Sequence, residues 1–333
     1  MIIQFKQPLQ TNIVKNLTQK FATMGMHGFL IDNHLTVIGV DHYDFSQDEL
    51  NAIEVVIPEQ PSFVLASRDF HPEDTVIKLP NSEVGGANFT IVAGPSAVED
   101  ETMISTLARI AKQGGATILT GRNFLNAEAP YGFAGLGEAG LKYLRAAADE
   151  NHLDVINEVT NVTQIELASQ YSDVLEVGSE SMHDTQLLRA LGKQEKPVAI
   201  RQSLDATIED WLNATEFVAS EGNQNIILVA SGSVAFDRDF SQKNLDIATL
   251  PIVHSLSHYP LLVDANEVSG TSELVLPISR AAVAAGVQGL SLTFHEFPND
   301  AKYKQGLAVS PNEYMEISRQ VIKLNQVVGA WQQ

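Results

Sequence analysis

From Phe89 onward the chain alternates short apolar runs with amphipathic stretches, eight times over. The apolar runs fall at 89–93, 116–120, 153–158, 173–177, 197–201, 225–230, 260–264 and 288–294, and read as buried strands. Helical spacing covers roughly 99–113, 136–150, 162–170, 181–191, 207–221, 246–256, 272–285 and 311–328. Eight strands, each followed by a helix, in the 245 residues from 89 to 333 is the count and size of a closed (β/α)8 TIM barrel. An open, doubly wound sheet is the alternative; eight regular units favour closure. The first unit shows the pattern. The strand FTIVA is broken by Gly94-Pro95-Ser96, and Glu99, Asp100 and Glu101 then open a helix where acids suit the helix dipole.

Residues 1–61 read as a separate α+β unit. Ile2 to Phe5 is strand-like, and Ile13, Val14, Leu17 and Phe21 follow at helical spacing. Gly28 to Ile31 and Leu35 to Val40 flank Asp32-Asn33-His34 as a hairpin. Ser46 and Glu49 form a capping-box pair ahead of a short helix, Glu54 to Ile57 is a last strand, and Pro58 and Pro61 end the unit. The order βαββαβ is the ferredoxin-like arrangement. Residues 62–88 read as a connector packed across the bottom of the barrel domain, 89–333.

Composition narrows the function classes. The chain has no cysteine, which excludes disulfides and thiolate metal sites and fits a cytoplasmic location. The opening MIIQFKQPLQ is too short and polar for a signal peptide, and no apolar run reaches the length of a membrane span. Net charge is −20, from 41 acids against 21 Lys and Arg. Such a field repels nucleic acid and anionic membranes, so neither is an expected partner. A phosphorylated ligand would need a local cluster of Arg and Lys.

In a (β/α)8 barrel the active site lies at the carboxyl ends of the strands. The polar residues there include Ser96, Arg122, Glu158, Glu180, Arg201, Gln202, Asp264, Glu267, Thr293 and His295, with Glu128 in the loop after the second strand. Glu158, Asp264 and His295 either form a hydrogen-bond network beneath the mouth or, together with Glu267, converge on a cation or basic ligand. No triad with Ser96 or Thr293 follows from spacing. Burying a lone charge costs several kcal/mol, so internal pairs are expected. These are Arg201 with a strand-end acid and Arg122 with a neighbouring carboxylate, the two arginines being the remaining anion hooks.

Several segments carry a family resemblance: SRDFHPEDTVIKL, FTIVAGPSAVEDE, PYGFAGLGEAGLKYLRAAADE, ATIEDWLNATEFVASEGNQNIIL, LDIATLP and LVLPISRAAVAAGVQGL. Together they resemble the 3-deoxy-7-phosphoheptulonate (DAHP) synthases with an N-terminal ferredoxin-like domain, along essentially the whole chain. The resemblance implies a barrel that joins phosphoenolpyruvate to erythrose 4-phosphate with a divalent metal, in the shikimate route to aromatic amino acids. It also implies a small domain that senses feedback inhibitors, and a homo-oligomer, dimer or tetramer. Related synthases build an eight-carbon sugar acid phosphate.

Framework and site diverge under this resemblance. The family's metal-binding Cys, His, Glu and Asp fall at Ser96, Glu267, Thr293 and Gln305, of which Glu267 alone is a good ligand, so no metal cofactor is expected. The family's Lys-Pro-Arg-Thr-Ser run falls at Leu125, Asn126, Ala127, Glu128 and Ala129. Its Lys-Arg pair falls at Arg201-Gln202, its Glu-Arg-Gly at Ala230-Ser231-Gly232, a further Arg at Gln242, and its Gly-Ala-Arg-Asn at Gly178 to Ser181. Each lost partner of a buried charge costs about 2–5 kcal/mol. The expectation is a degenerate synthase-like protein, a pseudoenzyme acting as a binding or regulatory homologue with a small-molecule ligand in its mouth. An active synthase with a rearranged site, or a barrel with different chemistry, is the alternative.

Overall fold

The computed structural model describes residues 2–6, 11–31, 34–38, 43–57, 62–125, 131–237 and 243–332. The chain divides into two compact units, one running to Glu73 and including Leu256–His258, the other comprising Asp74–Ser255 and Tyr259–Gln333.

The smaller unit contains β1 (Ile2–Phe5), α1 (Thr11–Thr23), β2 (His27–Ile31), β3 (His34–Ile38), α2 (Gln47–Ala52) and β4 (Ile53–Ile57). Its antiparallel sheet has the order β2-β3-β1-β4. Val14, Leu17 and Phe21 share one face of α1 and pack with Ile3, Phe5, Leu35, Val37 and Ile53. Helix α2 starts as its sequence demands: Ser46 accepts from the Glu49 amide while the Glu49 carboxylate reaches back to the Ser46 amide. The turn residues Asp32 and Asn33 and the stops Pro58 and Pro61 lie outside the described residues.

The larger unit opens with a hairpin, β5 (Val76–Lys78) and β6 (Glu83–Gly85). The connector expected over 62–88 is therefore part structure: Ile77 and Val84 join the core beneath the inward-facing residues of the barrel. Then come β7 (Thr90–Gly94), α3 (Glu101–Gln113), β8 (Ile118–Thr120), α4 (Glu138–Glu150), β9 (Asp154–Val159), α5 (Ile165–Ser169), β10 (Val174–Val177), α6 (Thr185–Gly192), β11 (Val198–Arg201), α7 (Ile208–Ala219) and β12 (Ile226–Ala230). A small ribbon, β13 (Ser233–Val234) and β14 (Lys243–Asn244), precedes α8 (Thr249–Leu256), β15 (Leu261–Asp264), α9 (Ala265–Ser269), α10 (Val275–Ala284), β16 (Gly289–Thr293) and α11 (Pro311–Gln332). Eight parallel strands close into a barrel in the order β7-β8-β9-β10-β11-β12-β15-β16, with β16 returning to β7 from Gly289 opposite Thr90 to Thr293 opposite Gly94.

Helix starts differ from the periodicity-based ranges where a capping side chain overrides it. Asp100 accepts from the Met103 amide at 2.8 Å, so α3 begins at Glu101 and Glu99 stays outside it. Asp184 caps α6 in the same way, and the stretch before it is a 3-10 turn, Ser179–Ser181. The helix expected over 272–285 is a 3-10 turn, Ser272–Leu274, running into α10, and α9 stands directly on the end of β15.

Inside the barrel the two-residue period of the strands builds the site. Ile118, Val174, Ala199 and Leu262 face inward in the apolar core. Two residues further along the same faces stand Thr120, Glu176, Arg201 and Asp264. The interior thus turns from apolar to charged within one layer of side chains.

Candidate active site at the barrel mouth

Arg201, at the end of β11, is the centre of the mouth. Its Nε donates to Glu176 Oε1 and its Nη1 to Asp264 Oδ2. The three side chains are 8%, 3% and 9% exposed, so the arrangement is a buried acid–arginine–acid triad. Asp264 is held from its other oxygen as well, by the Glu267 amide at 3.0 Å, because it caps α9. Its position is therefore set by the helix that follows β15.

Arg122, just after β8, pairs through Nε with Glu158 of β9. Its Nη1 donates to the Tyr303 hydroxyl at 3.3 Å, and its guanidinium lies 5.6 Å from the centre of that ring. Burial works against the Arg122 charge, but Glu158 above all restores it, and the net shift of the pKa is upward. Gly178, after β10, permits the pair: a Cβ there would run into the Glu158 carboxylate.

Glu267 is gripped from both sides. Oε1 accepts from Lys243 and Oε2 from Lys304, the latter at 2.7 Å. Burial pushes the Glu267 carboxyl up, but Lys304 and Lys243 pull it further down, to about 2. Lys304 shifts down too, because burial and the nearby Arg122 outweigh the attraction of Glu267.

The central cavity is lined by Ser96, Thr120, Arg122, Glu176, Arg201, Asp264, Asn266, Glu267, Ser291, Thr293 and Lys304, among others, and its volume is only ≈ 30 Å³. That is room for a water or two, against several hundred Å³ for a small-molecule site. A neighbouring cavity of ≈ 20 Å³ is bounded by Arg122, Glu158, Glu180, Tyr303 and Lys304.

Set against the expected site, the mouth brings together Arg201 with Asp264 and Arg122 with Glu158. Asp264 and Glu267 line one cavity, with Glu158 on the neighbouring one, and each acid is paired with a base; His295 lines neither cavity. The His295 Nε2 lies 3.6 Å from Glu99, and its Nδ1 lies 2.8 Å from the Phe297 carbonyl. Among the described residues no group of three or more His, Cys, Asp or Glu is placed to hold a metal. Gln202 lines a separate cavity of ≈ 190 Å³ beside Gly232, Asp246 and Thr249. Glu128 lies outside the described residues.

Arg122 and Arg201 are not the sole cations of the mouth. Lys243 and Lys304 were missed because they lie well beyond the barrel strands that precede them, Lys243 on the β13–β14 ribbon and Lys304 in the loop after β16. Glu176 was missed because it lies within a strand. The signal for it was present: an acid inside the apolar run VLEV of a strand buried on both faces must have a cationic partner.

The sequence profile of the DAHP synthetase I family matches residues 74–329. The chain belongs to that family. A phospho-2-dehydro-3-deoxyheptonate aldolase of Thermotoga maritima is 34% identical over 295 residues, covering 88% of this chain and 87% of that one. A 2-dehydro-3-deoxyphosphooctonate aldolase of Syntrophotalea carbinolica is 29% identical, covering 68% and 87%. The crystal structure of the Thermotoga maritima DAHP synthase matches with a TM-score of 0.80 at 31% identity, covering 98% of both chains. A truncated form of the synthase from the same organism matches at 0.74 over 80% of this chain.

Membership sharpens the question of the metal. Of the positions at which the resemblance places its ligands, Ser96, Glu267 and Thr293 line the central cavity. Gln305 is exposed, and its amide nitrogen donates to the Asn299 carbonyl at 3.1 Å. Two neutral hydroxyls and a carboxylate already held by two ammonium groups do not fit a divalent cation. Among the described residues no helix is long and apolar enough to cross a membrane.

Proposed function

We propose that this DAHP synthetase I family member does not carry out metal-dependent condensation of phosphoenolpyruvate with erythrose 4-phosphate, and acts instead as a binding or regulatory homologue in the cytoplasm. The observation that carries this reading is the Glu176–Arg201–Asp264 triad. An arginine that grips a phosphate or carboxylate must present its donors to the ligand; here two of the three guanidinium nitrogens are committed to buried carboxylates. Arg122, Lys243 and Lys304 are likewise paired, and Glu180 adds a negative charge at the edge. The described mouth therefore has no excess positive charge with which to hold two phosphorylated substrates. The βαββαβ order and the strand order β2-β3-β1-β4 support a ferredoxin-like reading of the small unit, the domain type in which this family senses inhibitors.

An active synthase with a rearranged site is the second reading. It is favoured by the 34% identity to an aldolase over 88% of the chain and by the TM-score of 0.80. Incubating the purified protein with phosphoenolpyruvate and erythrose 4-phosphate, with and without Mn²⁺, Zn²⁺ or Fe²⁺, separates the two. No phosphate release above background is expected. Turnover of order 1 per second or more, in the normal enzymatic range, would establish the second reading.

A further inference from the structure

We propose that Lys243 and Lys304 form a built-in dication that takes the place of the family's divalent metal, so that the mouth closes without any ion. The proposal rests on the reading above in one respect: both take the family's metal to be absent from this mouth.

Three of the four residues at the metal positions share the central cavity with Lys304. The residue expected to enter from the last loop, Gln305, turns outward to Asn299, and its neighbour Lys304 enters instead. The backbone shows how. Lys304 has φ +51°, and His152 is its sole non-glycine companion in the left-handed region among the described residues. That conformation is strained for a side-chain-bearing residue and persists only where the surroundings hold it. Here the held feature is the Nζ contact with Glu267 at 2.7 Å.

Charge matches as well. The two ammonium groups bring the same total charge as one divalent ion, and each takes a different oxygen of Glu267. Their origins let them tie loops together. Lys243 lies on the β13–β14 ribbon after β12, Lys304 on the loop after β16, and Glu267 in the first turn after β15. Glu267 is itself anchored by its amide to Asp264, a member of the Arg201 triad. The lysine pair thus joins the loops after three strands to the buried charge network. A divalent ion arriving in the ≈ 30 Å³ cavity would meet Lys304, Arg122 and Arg201 along its walls and find the carboxylates of Glu176, Asp264 and Glu267 already paired with cations.

Isothermal titration and thermal melting of the full-length protein with MnCl₂, and with EDTA, test this. The wild type is expected to show no Mn²⁺ binding and the same melting temperature in either solution. In Lys243→Met/Lys304→Met, Glu267 loses both cations, and Mn²⁺ is expected to raise the melting temperature in a way that EDTA reverses. Stoichiometric Mn²⁺ binding to the wild type would overturn the proposal, as would a double variant that is as stable as the wild type and indifferent to Mn²⁺. Should the double variant not fold, Lys304→Met alone decides: Mn²⁺ affinity at least tenfold above the wild type supports the proposal, and equal affinity overturns it. The outcomes stay separate from the condensation assay. Mn²⁺ bound to the wild type without condensation removes the lysine pair alone. Condensation in chelator, with no ion bound, removes the functional reading and leaves the pair standing.

Discussion

Replacing Arg201 with alanine removes the cation from a triad in which both acids are more than nine-tenths buried. The cost is set by what stays behind. Asp264 keeps the Glu267 amide at 3.0 Å. Glu176 sits inside β10 with apolar neighbours on both sides in sequence and loses the guanidinium that neutralised it. Breaking a buried ion pair from one side costs about 3–5 kcal/mol, most of it the stranded charge. For a folding unit the size of this barrel, about 1 kcal/mol corresponds to roughly 2–4 °C of melting temperature, so a fall of order 10 °C is expected. The assay has a natural reporter. Trp211 is buried on α7 and donates to the carbonyl of Ile200, the residue before Arg201, at 3.0 Å. Urea unfolding followed by tryptophan fluorescence therefore includes the region that is perturbed, alongside the signal of Trp331. Charge bookkeeping supplies the control: Arg201→Met/Glu176→Gln removes the cation together with one anion, and is expected to recover about 1–2 kcal/mol of the loss. An Arg201→Ala protein within about 1 kcal/mol of the wild type would refute the stranded-charge reasoning.

Acid should weaken the lysine-held carboxylate: Glu267 is held at about 2 against an ordinary 4.5. A folded value below the unfolded one gives stability that is complete above about pH 4.5 and is lost as pH falls through about 2, worth at most about 3 kcal/mol. The stability gap between wild type and Glu267→Gln should therefore narrow below pH 4.5, and a gap constant from pH 7 to pH 3 in urea titrations would show that the lysines do not act on this group. Gly178→Ala places a methyl against the Glu158 carboxylate and should cost about 1–3 kcal/mol by displacing it from Arg122; wild-type stability in the same titration would mean that the pair has room to move.

The sequence by itself determined the eight barrel strands, most of the helices between them, and their order. The strand runs from Phe89 onward are short, apolar and evenly spaced, and the helices between them carry apolar residues at helical intervals, as α3 does with Met103, Ile104, Leu107, Ala108 and Ala111. These are local signals, because a 3.6-residue or two-residue period is set by backbone geometry within each segment. The Ser46–Glu49 capping box was legible for the same reason. That Arg201 and Arg122 would need carboxylates also followed from the sequence, since charge cannot be buried alone. Tertiary structure decided which ones. Glu176 and Asp264 lie 25 and 63 residues from Arg201, and only closure of β16 onto β7 fixes the circle in which strand ends face one another. The lysines of loops around 243 and 304 meet on Glu267 for the same reason. A charge pair across a barrel leaves no periodic trace in the chain, because the separation that matters is measured through the fold and not along the sequence.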